Sequence, residues 1–314
     1  MALIAMASAG GSPGVTTTVL AVASLWPTEA LVAECDPAGG TIVPGMLGGN
    51  VPDTANIADL AADPGSVGEQ AVAVDGAAGH WLVLPGLPDP RFAVGMDAAW
   101  GPIGQALAEC GLDVVADLGR IGGRDVAYPL LAAADLLVLV MRPTLRQVAA
   151  ALPRLEVVRR SIGDQLPIAV AVIGYGSYSH RHIARVLECE VLGVVPEDPR
   201  TARVLSEGAP AGRWYRNAPL RQGAHRLGKA IRRRTVPATP STSFAGPPPS
   251  ARTAPALALK TPGSGRTLQA ASADGGPSPG PASGRMTNRA GRSETTTAKA
   301  RLRPYTSSGR RETR

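Results

Sequence analysis

The residue types best suited to chemistry lie near the N terminus, in a glycine-rich segment that follows a short apolar run. Residues 9–18 read AGGSPGVTTT. A loop of this kind between a strand and a helix lets backbone N–H groups converge on a phosphate, helped by the helix dipole. A hydroxyl at the start of the helix can also hold a magnesium ion. The segment therefore predicts a phosphate-binding loop, and the alternative interpretation is a plain strand-to-helix turn.

The spacing agrees only in part with the phosphate-loop consensus GxxxxGK[ST]. Gly14 and Thr16 occupy the second glycine and the hydroxyl position. Ala9 replaces the first glycine, and Val15 stands where the lysine that neutralises the outer phosphates belongs. Taken alone, the motif is weak, and its interpretation depends on other parts of the chain.

Two carboxylate-bearing segments follow later apolar runs. Residues 34–40 read ECDPAGG, which places Glu34 and Asp36 directly after a run of alanine, leucine and valine. Asp117 ends a second run, at residues 114–116. An aspartate in that position is typical of a Walker B residue, which binds magnesium through water. The alternative for each aspartate is a helix cap or a turn.

The elements that must position these residues are predicted by apolar runs at the spacing of an α/β fold. Helix-like stretches at 16–25 and 147–161 separate several of the runs, which implies a mostly parallel, twisted sheet of about seven strands with helices on both faces. Ligands of such three-layer folds lie at the carboxyl ends of the strands, where the glycine-rich loop and the aspartates fall. The predicted strands span residues 3–7, 30–35, 81–84, 113–116, 136–141, 168–173 and 191–195.

A change in charge divides the chain near residue 235. Residues 1–235 hold 20 Lys/Arg and 22 Asp/Glu, whereas residues 236–314 hold 12 Lys/Arg and 3 Asp/Glu. The second segment contains 11 Pro, 9 Gly and 21 Ser/Thr, and it cannot bury enough apolar surface to offset its ordering entropy. We therefore predict one α/β domain over 1–235, which ends in a basic amphipathic helix at 220–234, and a disordered basic tail over 236–314.

The sequence disfavours several classes of protein. The three cysteines form no CxxC pair, which argues against a disulfide framework or a zinc site. No basic residue precedes the first apolar run, glycines interrupt that run, and no stretch of about 18 apolar residues occurs elsewhere. We therefore expect a cytoplasmic protein without a transmembrane segment.

Taken together, these segments resemble the ParA/MinD family of deviant-Walker P-loop ATPases, which are of the SIMIBI type. The resemblance covers about residues 1–232, because residues 194–198 and 206–210 look like the family's region beside the nucleotide base. It implies the cofactors ATP and Mg²⁺, with Thr16 and Asp117 as magnesium residues and Asp36 positioning the attacking water. The nucleotide-binding residues that it implies are Gly11, Ser12, Gly14, Val15, Thr16, Thr17, Pro196 and Asp198.

The departures from the family pattern concern mainly its positive charges. The family's two loop lysines fall at Gly10 and Val15, so both are missing here. Losing one preorganised charge costs about 3–4 kcal/mol of transition-state stabilisation, by analogy with oxyanion-hole deletions, so we expect at best a weak ATPase. Pro13 also removes one backbone N–H from the loop, and Gly174 replaces the family's base-reading asparagine. Candidate substitutes for the missing charges are Arg120, Arg124 and Arg142, for which a solvated loop position is the alternative.

Three hypotheses for function follow from the resemblance and the charge distribution. The first is a ParA/MinD-like spatial organiser or scaffold with weak or absent hydrolysis. It would form a homodimer and position a larger protein machinery, as the TadZ/CpaE-like proteins with degenerate loops do for Tad-type pilus or conjugation systems. The second is an active chromosome or plasmid partitioning ATPase that binds DNA without sequence preference, through arginine-rich surface or the basic tail. The third is an adaptor whose tail recruits an acidic partner while the domain holds no ligand.

Overall fold

The computed structural model describes residues 1–49, 56–76, 79–122, 127–163 and 165–235. Its strands are β1 (Leu3–Ser8), β2 (Ala30–Glu34), β3 (Val72–Gly76), β4 (Gly79–Leu84), β5 (Asp113–Arg120), β6 (Leu136–Met141), β7 (Ile168–Ile173) and β8 (Glu190–Val195). They form one eight-stranded sheet in the order β3-β4-β2-β5-β1-β6-β7-β8. All neighbouring pairs are parallel except β3 and β4, which are antiparallel. The predicted α/β class with a mostly parallel sheet is confirmed.

All seven predicted strands are present, and the sequence analysis missed the eighth. Strand β3 lies at the edge of the sheet and pairs only with β4 among the described strands. Val74 is buried there, whereas its neighbours Ala73 and Asp75 are exposed. A half-exposed edge strand of five residues lacks the continuous apolar run by which the central strands were predicted.

Helices cover both faces of the sheet, so the domain has three layers. They are α1 (Val15–Ala23), α2 (Val67–Gln70), α3 (Trp100–Glu109), α4 (Tyr128–Leu131), α5 (Leu145–Ile162), α6 (His180–Leu187), α7 (Pro199–Glu207) and α8 (Pro219–Thr235). One apolar layer joins the sheet to α3, α4, α5 and α6, and the other joins it to α1, α7 and α8. Strands β1, β2 and β6 are buried along their whole length because helices lie on both sides of them.

The last helix packs as its apolar spacing predicts. In α8 the side chains of Leu220, Ala224, Leu227 and Ile231 are buried in the layer with α1, and the last turn carries Arg232–Arg234. The predicted tail, 236–314, lies outside the described residues, so the domain boundary at 235 stays a prediction. Within the part of the chain that the structure describes, no helix is long and apolar enough to cross a membrane.

Candidate functional site

The glycine-rich loop joins the carboxyl end of β1 to the start of α1. Gly14 lies directly before the helix at φ 97°, in the left-handed region that glycine occupies without strain. No side chain caps the helix at this end, and its first turn contains no acidic residue. The first N–H groups of α1 are therefore available to an anion, and the helix dipole favours one there.

A cavity of about 340 Å³ lies in front of this loop. The loop forms one wall, and the end of β5 and the segment after β2 form the others. Of the predicted site residues, the structure brings the loop and Asp36 together here. Thr41, Ile42 and Leu205 also line the cavity, and the sequence analysis did not single them out. Ser206, the first residue of the segment 206–210 that the resemblance placed beside the base, lines this cavity as well. The predicted residues that line it are Gly11, Ser12, Gly14, Val15, Thr16, Thr17 and Asp36.

A second cavity, of about 260 Å³, lies on the other side of the same loop. It shares Ser12, Gly14 and Thr17 with the first cavity, and the carboxyl ends of β7 and β8 complete it. The predicted residues Pro196 and Asp198 lie in its wall. The glycine-rich loop is therefore a wall of both cavities.

The carboxylate of Asp198 is engaged within the fold. One oxygen accepts a hydrogen bond from the backbone N–H of Thr201 at 3.1 Å, and the other accepts one from the Thr201 hydroxyl at 2.5 Å. Asp198 is thus the N-cap of α7, so its carboxylate has a structural role in addition to the predicted position beside the nucleotide. Beside it, Glu197 forms an ion pair with Arg142, and a Cβ at Gly174 would lie 2.9 Å from Glu197 Cγ. A side chain at position 174, where the resemblance implies a base-reading asparagine, would therefore collide with Glu197.

Asp117 lies near the end of the buried part of β5 and is 1 % exposed. Its Oδ1 accepts a hydrogen bond from the Gly119 N–H at 2.9 Å, whereas its Oδ2 is buried without a hydrogen-bond partner in the described part of the chain. Burial raises the pKa of Asp117 from 3.8 to about 7, although the hydroxyl of Thr16 and the Gly119 N–H act to lower it. An orphaned carboxylate oxygen beside a threonine hydroxyl fits a magnesium ion that carries its own waters.

Asp36 faces the first cavity, of about 340 Å³, from the segment after β2; we call it the phosphate-side cavity because the start of α1 borders it. Its Oδ1 accepts a hydrogen bond from the Ala38 N–H at 2.8 Å. Burial raises its pKa, and the nearby charge of Arg120 acts to lower it. A Cβ at Gly119, which has φ 59°, would lie 1.9 Å from Asp36 Oδ2, so only glycine fits beside this carboxylate.

Glu34 is a structural residue. It is 1 % exposed, and its Oε1 accepts hydrogen bonds from the N–H groups of Thr41 and Ile42 and from the Thr41 hydroxyl. Its Oε2 accepts one from the N–H of Gly86 at 3.1 Å. Desolvation raises its pKa, and the hydrogen bonds act to lower it. Glu34 thereby ties the wall of the phosphate-side cavity to the end of β4.

The positions of the missing lysines do not offer a replacement charge. Val15 is 7 % exposed and packs in the apolar layer of α1, although it also touches the cavity. Among the candidate substitutes, Arg120 lies at the phosphate-side cavity, with its Nη2 3.4 Å from the carbonyl oxygen of Gly11. Arg142 lies at the second cavity, where Glu197 neutralises it. Arg124 falls outside the described residues.

Comparison with known proteins gives a likeness of fold. No protein-family model matches the sequence, and no curated protein sequence matches it. MinD in the MinC:MinD cell division complex of Aquifex aeolicus is 17% identical at a TM-score of 0.60, over 76% of this chain and 98% of that chain. MinD of Pyrococcus horikoshii in complex with Mg-ADP is 19% identical at a TM-score of 0.60, over 73% and 95%. A putative plasmid partition protein of Borrelia burgdorferi bound to AMPPNP is 15% identical at a TM-score of 0.59, over 74% and 98%.

These similarities extend over nearly the whole length of the solved chains and over the described domain of this one. At identities below 20% they establish architecture rather than activity. The resemblance that the glycine-rich loop and the two aspartate segments predicted is confirmed at that level. The domain has the fold of the MinD and ParA P-loop ATPases.

Proposed function

We propose that the domain binds ATP with Mg²⁺ in the two cavities that border the glycine-rich loop and acts as a ParA/MinD-like spatial organiser with weak or absent hydrolysis. The observation that carries this proposal is the pair of cavities on either side of one glycine-rich loop. A nucleotide needs the same pairing, with anion-binding backbone for its phosphates and a less polar wall for its base. The Mg-ADP in the Pyrococcus MinD structure supports this choice of ligand.

Each residue of the site has a distinct task in this proposal. The backbone N–H groups of residues 11, 12 and 14–17 bind the phosphates at the start of α1; Pro13 contributes none. Thr16 and Asp117 would hold Mg²⁺, which supplies positive charge to the phosphate oxygens. Asp36, in the opposite wall, would orient a water molecule, while Pro196 and the backbone of Asp198 border the base.

Slow turnover follows from the missing charges. Val15 is buried and uncharged, and Arg142 is already paired with Glu197. With less positive charge to stabilise the transition state at the transferred phosphate, hydrolysis of bound ATP is slow, and the ATP-bound state persists. A long-lived nucleotide-bound state suits a homodimeric scaffold that positions a larger assembly, such as Tad-type pilus or conjugation machinery. The partner protein in the MinC:MinD complex is a precedent for such an assembly.

Calorimetric titration of the full chain with ATP and Mg²⁺ is expected to show micromolar binding that Thr16→Ala weakens at least about tenfold, since a lost magnesium ligand is worth more than about 1.4 kcal/mol. The effect is expected to disappear when Mg²⁺ is chelated. Thr28→Ala is the matched control, because Thr28 is an exposed hydroxyl in the segment before β2, outside both cavities. Absence of binding at millimolar nucleotide would remove the ATP-dependent functions altogether.

A second candidate function, DNA partitioning, is favoured by basic surface near the end of the domain. A cavity of about 570 Å³ is lined by Arg213, Arg216, Arg221 and Tyr215, and α8 ends in Arg232–Arg234. The 12 Lys/Arg of residues 236–314 follow directly. Phosphate backbones are bound by such charges without sequence preference.

This second function predicts ATP-dependent binding to duplex DNA that weakens linearly with log salt, with a slope of about −0.9 per phosphate contacted. A variant with the 12 tail Lys/Arg changed to Gln separates the two basic regions. Loss of most of the slope in the variant assigns the contacts to the tail, and an unchanged slope assigns them to the domain. Fluorescence anisotropy at several salt concentrations measures it. A DNA affinity that changes neither with ATP nor with salt concentration would rule out the partitioning function.

A further inference from the structure

The phosphate-side cavity has one cationic residue in its described wall. The loop contributes backbone, hydroxyls and apolar groups, and Asp36 contributes a negative charge. Arg120, at the end of β5, is the positive side chain that lines the cavity in the described chain. A polyphosphate that enters beside Asp36 needs a counter-charge, because two anions in a partly dehydrated cavity repel each other strongly.

The backbone holds Arg120 in place. In the register of the sheet, Arg120 pairs with Ser8, the last residue of β1. The N–H of Ile121 donates a hydrogen bond to the Ser8 carbonyl at 2.9 Å, and the Ser8 hydroxyl donates one to the Gly119 carbonyl at 3.4 Å. The register shifts between Met6 and Ser8, and such an irregularity re-aims a strand end. Arg120 therefore extends from the sheet beside the glycine-rich loop, and its backbone is anchored there.

The guanidinium of Arg120 has capacity for a ligand. Its one hydrogen bond among the described residues is to the Gly11 carbonyl, at 3.4 Å. None of the described ion pairs includes it, although its charge acts on the nearby Asp36. An arginine carries five N–H donors in a planar fork that matches two phosphate oxygens at once. Arg142, the arginine of the neighbouring cavity, is instead held by Glu197.

We propose that Arg120 supplies the phosphate-binding charge that this loop lacks, by binding the outer phosphates of the nucleotide from the end of β5. The inference rests on the proposed nucleotide-binding function, and it adds the residue whose positive charge replaces that of the missing loop lysines. The fork leaves its long contact with Gly11 O and binds phosphate oxygens instead. Because Arg120 lies three residues after Asp117, the same end of β5 then contacts both the magnesium ion and the outer phosphates.

The test compares ATP with AMP, because AMP lacks the outer phosphates. With the full chain and Mg²⁺, Arg120→Gln is expected to weaken ATP binding roughly 10- to 100-fold and AMP binding by less than about threefold, as loss of a charge-assisted hydrogen-bond pair predicts. Arg120→Lys is expected to retain part of the affinity for ATP, since it keeps the charge without the fork. Arg226→Gln, an equal charge change at an exposed position of α8, is expected to leave both affinities unchanged.

The outcomes separate this inference from the proposed function. Equal ATP affinity in the wild type and Arg120→Gln, or equal losses for ATP and AMP, overturns the role of Arg120 and leaves nucleotide binding intact. A wild-type chain that binds neither nucleotide overturns both. Because Arg120 is exposed, its replacement is expected to leave the urea unfolding midpoint unchanged, and that measurement distinguishes a lost contact from a lost fold.

Discussion

Replacing Asp117 by asparagine is expected to stabilise the domain at pH 8 and to flatten the pH dependence of its unfolding. The pKa of this buried carboxyl is raised from 3.8 to about 7, so the folded state binds its proton more tightly than the unfolded chain does. Its contribution to stability is therefore fully present at low pH and is lost as the pH rises from about 4 through 7. Asparagine keeps an oxygen for the Gly119 N–H and carries no charge to desolvate.

The size of this effect follows from the shift in pKa. Between pH 5 and pH 8 the stability advantage of Asp117→Asn is expected to grow by about 2.5 kcal/mol, within a total of about 4 kcal/mol for full ionisation. Urea unfolding without Mg²⁺ at a series of pH values measures it. Asp97→Asn, at an exposed position, is the control and is expected to change stability by less than about 0.5 kcal/mol. A variant less stable than the wild type at pH 8, with the same slope, would contradict the prediction.

Loss of Mg-dependent nucleotide binding is expected in the same Asp117→Asn variant. The unpartnered Oδ2 of Asp117 is the atom that the wild-type fold keeps buried at a cost. A group that destabilises the empty fold and gains its partner on binding is typical of functional sites. Stabilisation together with loss of binding would thus identify this carboxylate as functional rather than as a structural cap.

Glu34→Ala is expected to destabilise the domain by about 3–5 kcal/mol, because it leaves three N–H groups without an acceptor, two of them in buried hydrogen bonds. Those donors belong to Thr41, Ile42 and Gly86. Since Thr41 and Ile42 also line the phosphate-side cavity, nucleotide affinity is expected to fall with stability. Urea unfolding at pH 7 measures the first effect and calorimetry the second.

Glu34→Gln provides the matched comparison. Its amide oxygen can still accept from Thr41 and Ile42, while its NH₂ group meets the N–H of Gly86 as a second donor. We therefore expect a loss of about 1–2 kcal/mol, smaller than that of alanine. Equal and small losses for alanine and glutamine would show that Glu34 does not hold the cavity wall. Glu34 and Asp117 differ in their hydrogen bonding: both oxygens of Glu34 accept hydrogen bonds, whereas Oδ2 of Asp117 has no described partner.

How much of the fold could be predicted is clear from individual strands. The runs that became β1, β2, β5, β6 and β7 are dominated by alanine, valine, leucine and isoleucine, because helices bury both faces of these strands. The edge strand β3 shows only one buried valine, Val74, in its alternation, and the same reasoning failed there. Strand β3 forms through its antiparallel pairing with β4, and its own sequence has no continuous apolar run that would predict a strand.

The sequence by itself determined the α/β class, the central strands and the placement of the loop, Asp36 and Asp117 at one edge of the sheet. Parallel strands align their carboxyl ends, so residues that follow such strands must come together. Only the tertiary structure decided the contacts and the burial of these groups. Glu34 meets Gly86, 52 residues away, and Arg120 meets Gly11, 109 residues away. The burial of a side chain, its pKa and the groups that it contacts depend on neighbours that are distant in the sequence, and local sequence patterns carry no information about those neighbours.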